Sequence, residues 1–331
     1  MTTPTPAAGP GPAARPRARR RSVALHALWA GLVLGANPLE RWLRRRGAPP
    51  RTSTLAIIPV WYAMLALLER RRPHEQEWNP GAAEMRTDGA FFGGVTVAAL
   101  TGQAIGAGLA PRLGVAAKGG AGGGRLVPRL GIAGGVVASI AAFDLVHYTL
   151  HRLGHEWGPA WKFHSVHHSP NRLHIFNATR FHPVESFIEG TLEGAVLAVA
   201  GLSEPQHVAH GVARATYGQL QHCNIDLDSG ALDHVFATPD LHRWHHSEVY
   251  AEGDTNYGAV TSVWDRLFGS FFRPSRGFDA DLGIGRMPDF PQRFFGLLSA
   301  PFRWSAIKER NAATWYDDAA TAANPDVHPR S

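Results

Sequence analysis

Four apolar stretches without Asp, Glu, Lys or Arg, at 22–39, 52–68, 89–111 and 130–143, divide the first half of the chain. The third is long enough to cross a bilayer core. The first two lie near the lower limit, and the fourth reaches it only by continuing past Asp144 into LVHYTL. Each predicts a helix, because a segment in hydrocarbon has to satisfy its own backbone N–H and C=O groups. Two further apolar segments, 185–203 and 206–220, are interrupted by Glu189, Glu193, His207 and His210. They read either as a second membrane hairpin or as buried helices of a cap. The expected fold class is therefore all-α: an integral membrane helical bundle of four spans, or six, with a cytosolic histidine-rich helical cap.

The same pattern sets the domain boundaries. Residues 1–21 are Pro, Ala and Arg with little to bury, and read as a disordered basic tail. Residues 22–143 are the membrane helices, 144–276 a histidine-rich region that includes the 185–220 hairpin, and 277–331 a C-terminal interfacial segment and tail. The Gly-rich stretch KGGAGGG at 118–124 reads as a hairpin loop, since no helix-opening GK[ST] follows it.

Charge changes the picture little. Lys and Arg exceed Asp and Glu by 33 to 27, but the excess sits in runs beside the apolar stretches, at 15–21, 41–46 and 70–72. That is how membrane flanks look, and nucleic-acid binding is not expected. Counting Lys and Arg does not orient the bundle, because nine fall on each side. Helix parity does better: two hairpins, one from the third and fourth spans and one from 185–220, put every histidine cluster and the C-terminal region on one side. The single cysteine, Cys223, leaves no intrachain disulfide and no CxxC motif, which fits a reducing compartment.

Histidine carries the chemistry. Of 18 histidines, 15 lie between His147 and His246. His151 and His155 are four apart, and His164, His167 and His168 stand at i, i+3 and i+4. His242, His245 and His246 repeat that spacing 78 residues later. On a helix such positions share a face, so each trio can aim at one point and two trios can close around a shared centre. Neutral imidazole suits iron, zinc, copper and nickel. Eight imidazoles exceed the needs of one tetrahedral zinc, so two metal ions are expected. A metal transporter or a haem-carrying electron carrier would be the alternative. The first needs ligands along the bilayer depth, and the second needs single histidines facing each other across a haem.

The stretch from Asp144 through LVHYTLHRLGH, then WKFHSVHHSP, NATRFHPVE, QHCN, TPDLHRWHHS, NYG and WDRLFGS resembles the fatty acid hydroxylase/sterol desaturase superfamily. The likeness covers about 144–272 and extends to RMPDFPQRFFGLLSAPF near the C-terminus. It implies a non-haem di-iron enzyme with three histidine boxes: His151 and His155; His164, His167 and His168; His242, His245 and His246. It adds His182 and His222 as further ligands or near neighbours. It leaves His147, His174 and His234 free, while His207 and His210 read as structural. Asp144, Asn256 and Asp265 are expected to orient imidazoles through hydrogen bonds. Where some members carry one more histidine, this chain has Gly218. That leaves one metal with an open position, or with His182 as its ligand.

The resemblance further implies ferrous iron, dioxygen as co-substrate, and hydroxylation or desaturation at a C–H bond of a membrane lipid: sterol-like, fatty acyl, ether lipid or carotenoid. The chain has no Rossmann fingerprint, flavin motif or cysteine cluster, so no bound flavin or NAD is expected. A separate donor, a small cytochrome or a ferredoxin with its reductase, would bring the electrons. The expected setting is a bacterial inner membrane with the active site on its cytoplasmic face.

Overall fold

The computed structural model describes residues 15–113, 126–285 and 287–315, and the Gly-rich loop at 118–124 lies outside them. Four long helices correspond to the four apolar stretches: α1 (Pro16–Arg44), α2 (Thr52–Arg71), α3 (Ala82–Arg112) and, after the short α4 (Leu126–Arg129), α5 (Gly131–Glu156). All four are long and apolar enough to cross a membrane. α6 (Gly158–His168) follows, then a hairpin of α7 (Pro183–Ala200) and α8 (Glu204–His222). α9 (Pro239–His245), α10 (Tyr250–Gly253), α11 (Val263–Phe268), α12 (Phe294–Ser299) and α13 (Trp304–Arg310) are short. No strand forms among the described residues, only isolated bridges.

The bundle is amphipathic in reverse. α2 buries Ser53, Ile57, Trp61, Leu65 and Glu69, a stripe at strict i+4 spacing, and turns Leu55 and Val60 outward at 71% and 69% exposure. Large apolar side chains on the outside are stable only where the surroundings are lipid. The inward faces meet on α8. The Trp29 indole donates to Thr216 Oγ1 (3.0 Å) and the Trp61 indole to the Thr216 carbonyl (2.9 Å).

α7 and α8 lie alongside these spans, so the 185–220 segment is part of the bundle. α7 sits on α3 through two reciprocal small-residue steps, Gly102 and Gly106 against Gly190 and Gly194. A Cβ at Gly102 or Gly106 would run into the carbonyl of Phe187 or Thr191, and one at Gly190 or Gly194 into that of Ala99 or Gln103. The polar residues that interrupted the hydropathy pattern are paired inside the bundle. Glu193 meets His210 (3.2 Å) and Gln103 (2.8 Å), and Glu189 meets His147 (3.0 Å) and Arg214 (3.2 Å).

Residues 15–21 depart from the disordered tail expected for 1–21. They form the first turns of α1, and residues 1–14 lie outside the described residues. Ala18 is buried there, and complementary charges tie down the rest. Arg15 and Arg21 pair with Asp226, Arg19 pairs with Asp228 (3.1 Å), and Ser22 bonds Ser229 (3.1 Å). These contacts put the start of α1 beside the end of α8. The end of α2 is there too, since the Asp226 N–H donates to the Arg72 carbonyl (2.8 Å). One end of the bundle thus gathers the end of α5, all of α6 and the end of α8. The C-terminal segment covers that end through a second core of Phe91, Trp161, Ile284, Phe290, Leu297 and Trp304.

Candidate metal centre

The histidines assemble into two buried groups. His151, His155, His164, His168 and His245 form one; His167, His222, His242 and His246 form the other. Within each group, one ring nitrogen per residue lies within 4.8 Å of every other. The trios therefore do not each aim at one point. His164 and His168 join the first group while His167, between them, joins the second. His242 and His246 join the second while His245 joins the first. Helix geometry gives the reason: residues four apart are offset by about 40° around the axis, whereas i+3 and i+4 differ by about 100°. The i, i+4 pair shares a centre and the third member reaches its neighbour's. The two groups are in contact, with the His168 and His246 rings stacked at 4.4 Å between centroids.

Hydrogen bonds fix which nitrogen faces inward. His151 Nδ1 donates to the Tyr257 carbonyl (2.8 Å) and His245 Nδ1 to the Thr255 carbonyl (2.7 Å). His155 Nδ1 donates to Asp254 (2.9 Å) and His164 Nδ1 to Glu185 (2.6 Å). Carbonyl and carboxylate oxygens only accept, so Nδ1 carries the proton in all four and Nε2 presents its lone pair to the centre. In the second group Asn177 Oδ1 accepts a hydrogen bond from His222 Nδ1 (3.2 Å).

The inward nitrogens are then crowded together. His168 Nε2 lies 3.0 Å from His155 Nε2 and 3.1 Å from His245 Nε2. His242 Nε2 lies 2.8 Å from His222 Nε2 and 3.0 Å from His246 Nε2. His167, His242 and His246 leave Nδ1 buried without a partner, as His151 leaves Nε2. Burial first, and neighbouring imidazoles second, hold His167, His168, His242 and His245 well below the usual histidine range. Neutral rings with converging lone pairs repel one another unless a cation sits between them, and neutral imidazole is the form that binds metal. The donor set fits two metal ions. Five imidazoles also exceed what a tetrahedral zinc accepts.

Comparison with known proteins agrees with this geometry. Residues 136–270 match the family described as "Fatty acid hydroxylase". The "Ornithine lipid hydroxylase OlsE" of Rhizobium tropici is 36% identical over 252 residues, covering 75% of both chains. The chain belongs to the fatty acid hydroxylase family. A more distant match is the "Alkylglycerol monooxygenase" of Danio rerio, 31% identical over 129 residues, which are 39% of this chain and 28% of that protein. The human "Alkylglycerol monooxygenase" is 28% identical over 130 residues, again 28% of its length. No solved structure matches. These relatives are hydroxylases and monooxygenases, and this fatty acid hydroxylase is likewise an oxidoreductase.

Within this hydroxylase His182 lies apart from both groups. Its Nδ1 accepts the Val184 N–H (3.2 Å) as the N-cap of α7, and its Nε2 donates to the Leu298 carbonyl (3.1 Å). Both nitrogens are spent, so His182 does not fill the position at Gly218. His222 does reach a centre. The hydrogen bonds of Asp144, Asn256 and Asp265 do not go to imidazoles, contrary to expectation. They shape the 255–262 loop instead: Asp144 accepts from Val260 and Thr261, Asp265 from Tyr257 and Gly258, and Asn256 bonds Leu241 and Phe272. Asn256 sits in the left-handed region at φ +55, which asparagine tolerates better than most residues. The loop so formed delivers the Thr255 and Tyr257 carbonyls to His245 and His151.

The groups that hold the imidazoles directly went unread in the sequence: Asp254, Glu185, Asn177 and those two carbonyls. For Glu185 a signal existed, since a Pro–Val–Glu run after His182 marks a helix start. Nothing local ties it to His164. A third cluster, Glu84, Asp88 and His174, is an ion-pair network, with Arg180 Nε donating to Asp88 (2.6 Å) and Arg172 lying 3.6 Å from Glu84.

Proposed function

We propose that the chain hydroxylates a membrane lipid at a C–H bond, using dioxygen and two ferrous ions held by the two histidine groups. The observation that carries this reading is the pair of buried, neutral imidazole clusters, five and four strong, at one end of a lipid-facing bundle. Bound iron would supply the redox chemistry that splits dioxygen, and the balance is RH + O2 + 2 e⁻ + 2 H⁺ → ROH + H2O. Desaturation consumes the same oxidant and differs only in which second hydrogen is in reach. The relatives are hydroxylases and monooxygenases by name, which favours hydroxylation.

The protein's part is positioning. His151, His155, His164, His168 and His245 bind the first ion, and His167, His222, His242 and His246 the second. Asp254 and Glu185 raise the basicity of His155 and His164 by accepting hydrogen bonds from their Nδ1–H groups. A cleft of about 10 Å3, the size of a single water, reaches His155, His168 and His245 beside Trp161 and Glu248. Tight packing elsewhere keeps bulk water from an oxidising centre. A separate small redox protein supplies the electrons. The histidine end faces the cytoplasm of a bacterial inner membrane, where such donors and ferrous iron are found. With all nine imidazoles at one end, nothing favours transport along the bilayer depth.

Metal content and product decide the matter. Protein purified in mild detergent from iron-replete cells is expected to hold two iron ions per chain and to place one atom of labelled dioxygen in a lipid product. The His167→Ala, His168→Ala double variant is expected to lose both. Retention of iron by the double variant, or unlabelled product from the wild type, would overturn the proposal.

A further inference from the structure

Beside the histidine end lies a second space, a half-open cavity of about 650 Å3, the size of a small-molecule site. Its walls come from the first turns of α3 (Glu84, Thr87), the loop after α6 (Arg172, Arg180), Glu248, and the segment that ends at Arg293. The floor is apolar: Ile284, Met287 and Phe290 line it and are buried. The cavity and the water-sized cleft onto the first histidine group share Glu248, Gly283 and Ile284 as lining. Whatever fills the larger space therefore sits next to the opening onto the metal centre.

The charges on its walls are sorted. Asp88 takes Arg180, and Glu84 is shared among His174 (3.2 Å), Arg180 (3.5 Å) and Arg172 (3.6 Å). Two lining charges make no ion pair among the described residues, the Glu248 carboxylate and the Arg293 guanidinium. Two residues beyond Arg293 stands Phe295, 80% exposed, and Phe302 is 74% exposed. Exposed Phe rings beside an Arg suit an interfacial segment, with the rings towards the acyl chains and the cation towards the headgroups. The cavity thus adjoins the cleft onto the candidate centre and carries, among the described residues, one unpaired charge of each sign beside an apolar, exposed Phe pair.

We infer that this cavity seats a zwitterionic lipid headgroup, its ammonium on Glu248 and its anionic group on Arg293 with Arg172 beside it. The inference rests on the lipid hydroxylase reading and adds to it the substrate's recognition element. Neutral sterols and carotenoids have nothing to offer these charges. A headgroup seated here also brings the carbons nearest to it, rather than the middle of an acyl chain, to the cleft.

The test reads binding, with oxidation measured separately. Full-length protein in neutral detergent micelles is mixed with N-acylornithine, which bears a free carboxylate and a free ammonium, with its methyl ester, and with its N-acetylated form. Retained lipid is counted by mass spectrometry of the intact complexes, with and without iron. The wild type is expected to hold the zwitterion about 10-fold better than either blocked lipid, as loss of one charge-assisted hydrogen bond implies. Glu248→Gln is expected to lose discrimination against the acetylated lipid only, and Arg293→Gln against the ester only, both with iron content unchanged. Equal retention of all three lipids, or variants that leave the pattern intact, would overturn the inference. Free ornithine displacing the lipid at equal concentration would assign the site to a soluble zwitterion instead. Oxidation without headgroup preference would remove only the headgroup seat. Preference without oxidation of any lipid would remove only the hydroxylase reading.

Discussion

At the scale of single residues, the imidazoles and the groups behind them separate into different jobs. Asp254 is a third exposed and accepts a hydrogen bond from His155 Nδ1 in the first histidine group. Asp254→Ala is expected to weaken iron binding in the first group by about 10–100-fold, the usual cost of removing such a partner. The second group should keep its ion, so partial chelation followed by metal analysis should leave one iron per chain where the wild type retains two. His182→Ala makes the opposite case. Both metals should stay, and the loss should appear as about 1 kcal/mol of stability from the missing α7 cap. If His182→Ala lost a metal, its placement outside both groups would be wrong. Sequence spacing revealed eight of the nine imidazoles through the boxes and the ninth, His222, through resemblance. It could not reveal that each trio is divided, because HxxHH states which residues share a helix face and not where neighbouring helices put the second centre. Nor could it find Asp254 or the Tyr257 carbonyl, which come from 99 and 106 residues away from their histidines.

At the scale of elements, the α3–α7 contact is the most exacting piece of packing. The GxxxG steps of the two helices face each other, and the carbonyls of one helix occupy the space where side chains of the other would stand. Gly106→Leu is expected to cost about 3 kcal/mol, since neither backbone can retreat without moving Glu185 at the head of α7 and with it the His164 hydrogen bond. Gly108, with nothing within 4 Å of a Cβ, is the control on the same helix, and Gly108→Leu should leave thermal stability and iron content unchanged. Equal behaviour of the two variants would mean that α7 is held by something other than this contact. The spans were legible because hydropathy and length are local properties. Whether 185–220 joins the bundle was not, because Glu189, Glu193 and Arg214 look forbidding one at a time and are tolerable only as partners.

At the scale of the whole molecule, the remaining question is which way the bundle faces, and the chain's own charge pattern is balanced between the two ends. The structure supplies a clean way to ask. Cys223 is 1% exposed, so a thiol reagent in intact cells meets little background. Arg46 lies just past the end of α1, at the end opposite the histidines, where Arg44 pairs with Glu204 (2.5 Å). Asp279, exposed on the histidine end, pairs with Arg276. With the histidine groups facing the cytoplasm, Arg46→Cys should be labelled by a membrane-impermeant maleimide in intact cells, and Asp279→Cys only after the membrane is opened. The reverse pattern would put the metal centre on the far side, away from ferrous iron and from soluble electron donors in the cytoplasm, and the proposed supply of electrons would have no source. The expected pattern would instead make the cytoplasmic leaflet the one whose headgroups reach the cavity, and lipid hydroxylation should then begin on that leaflet.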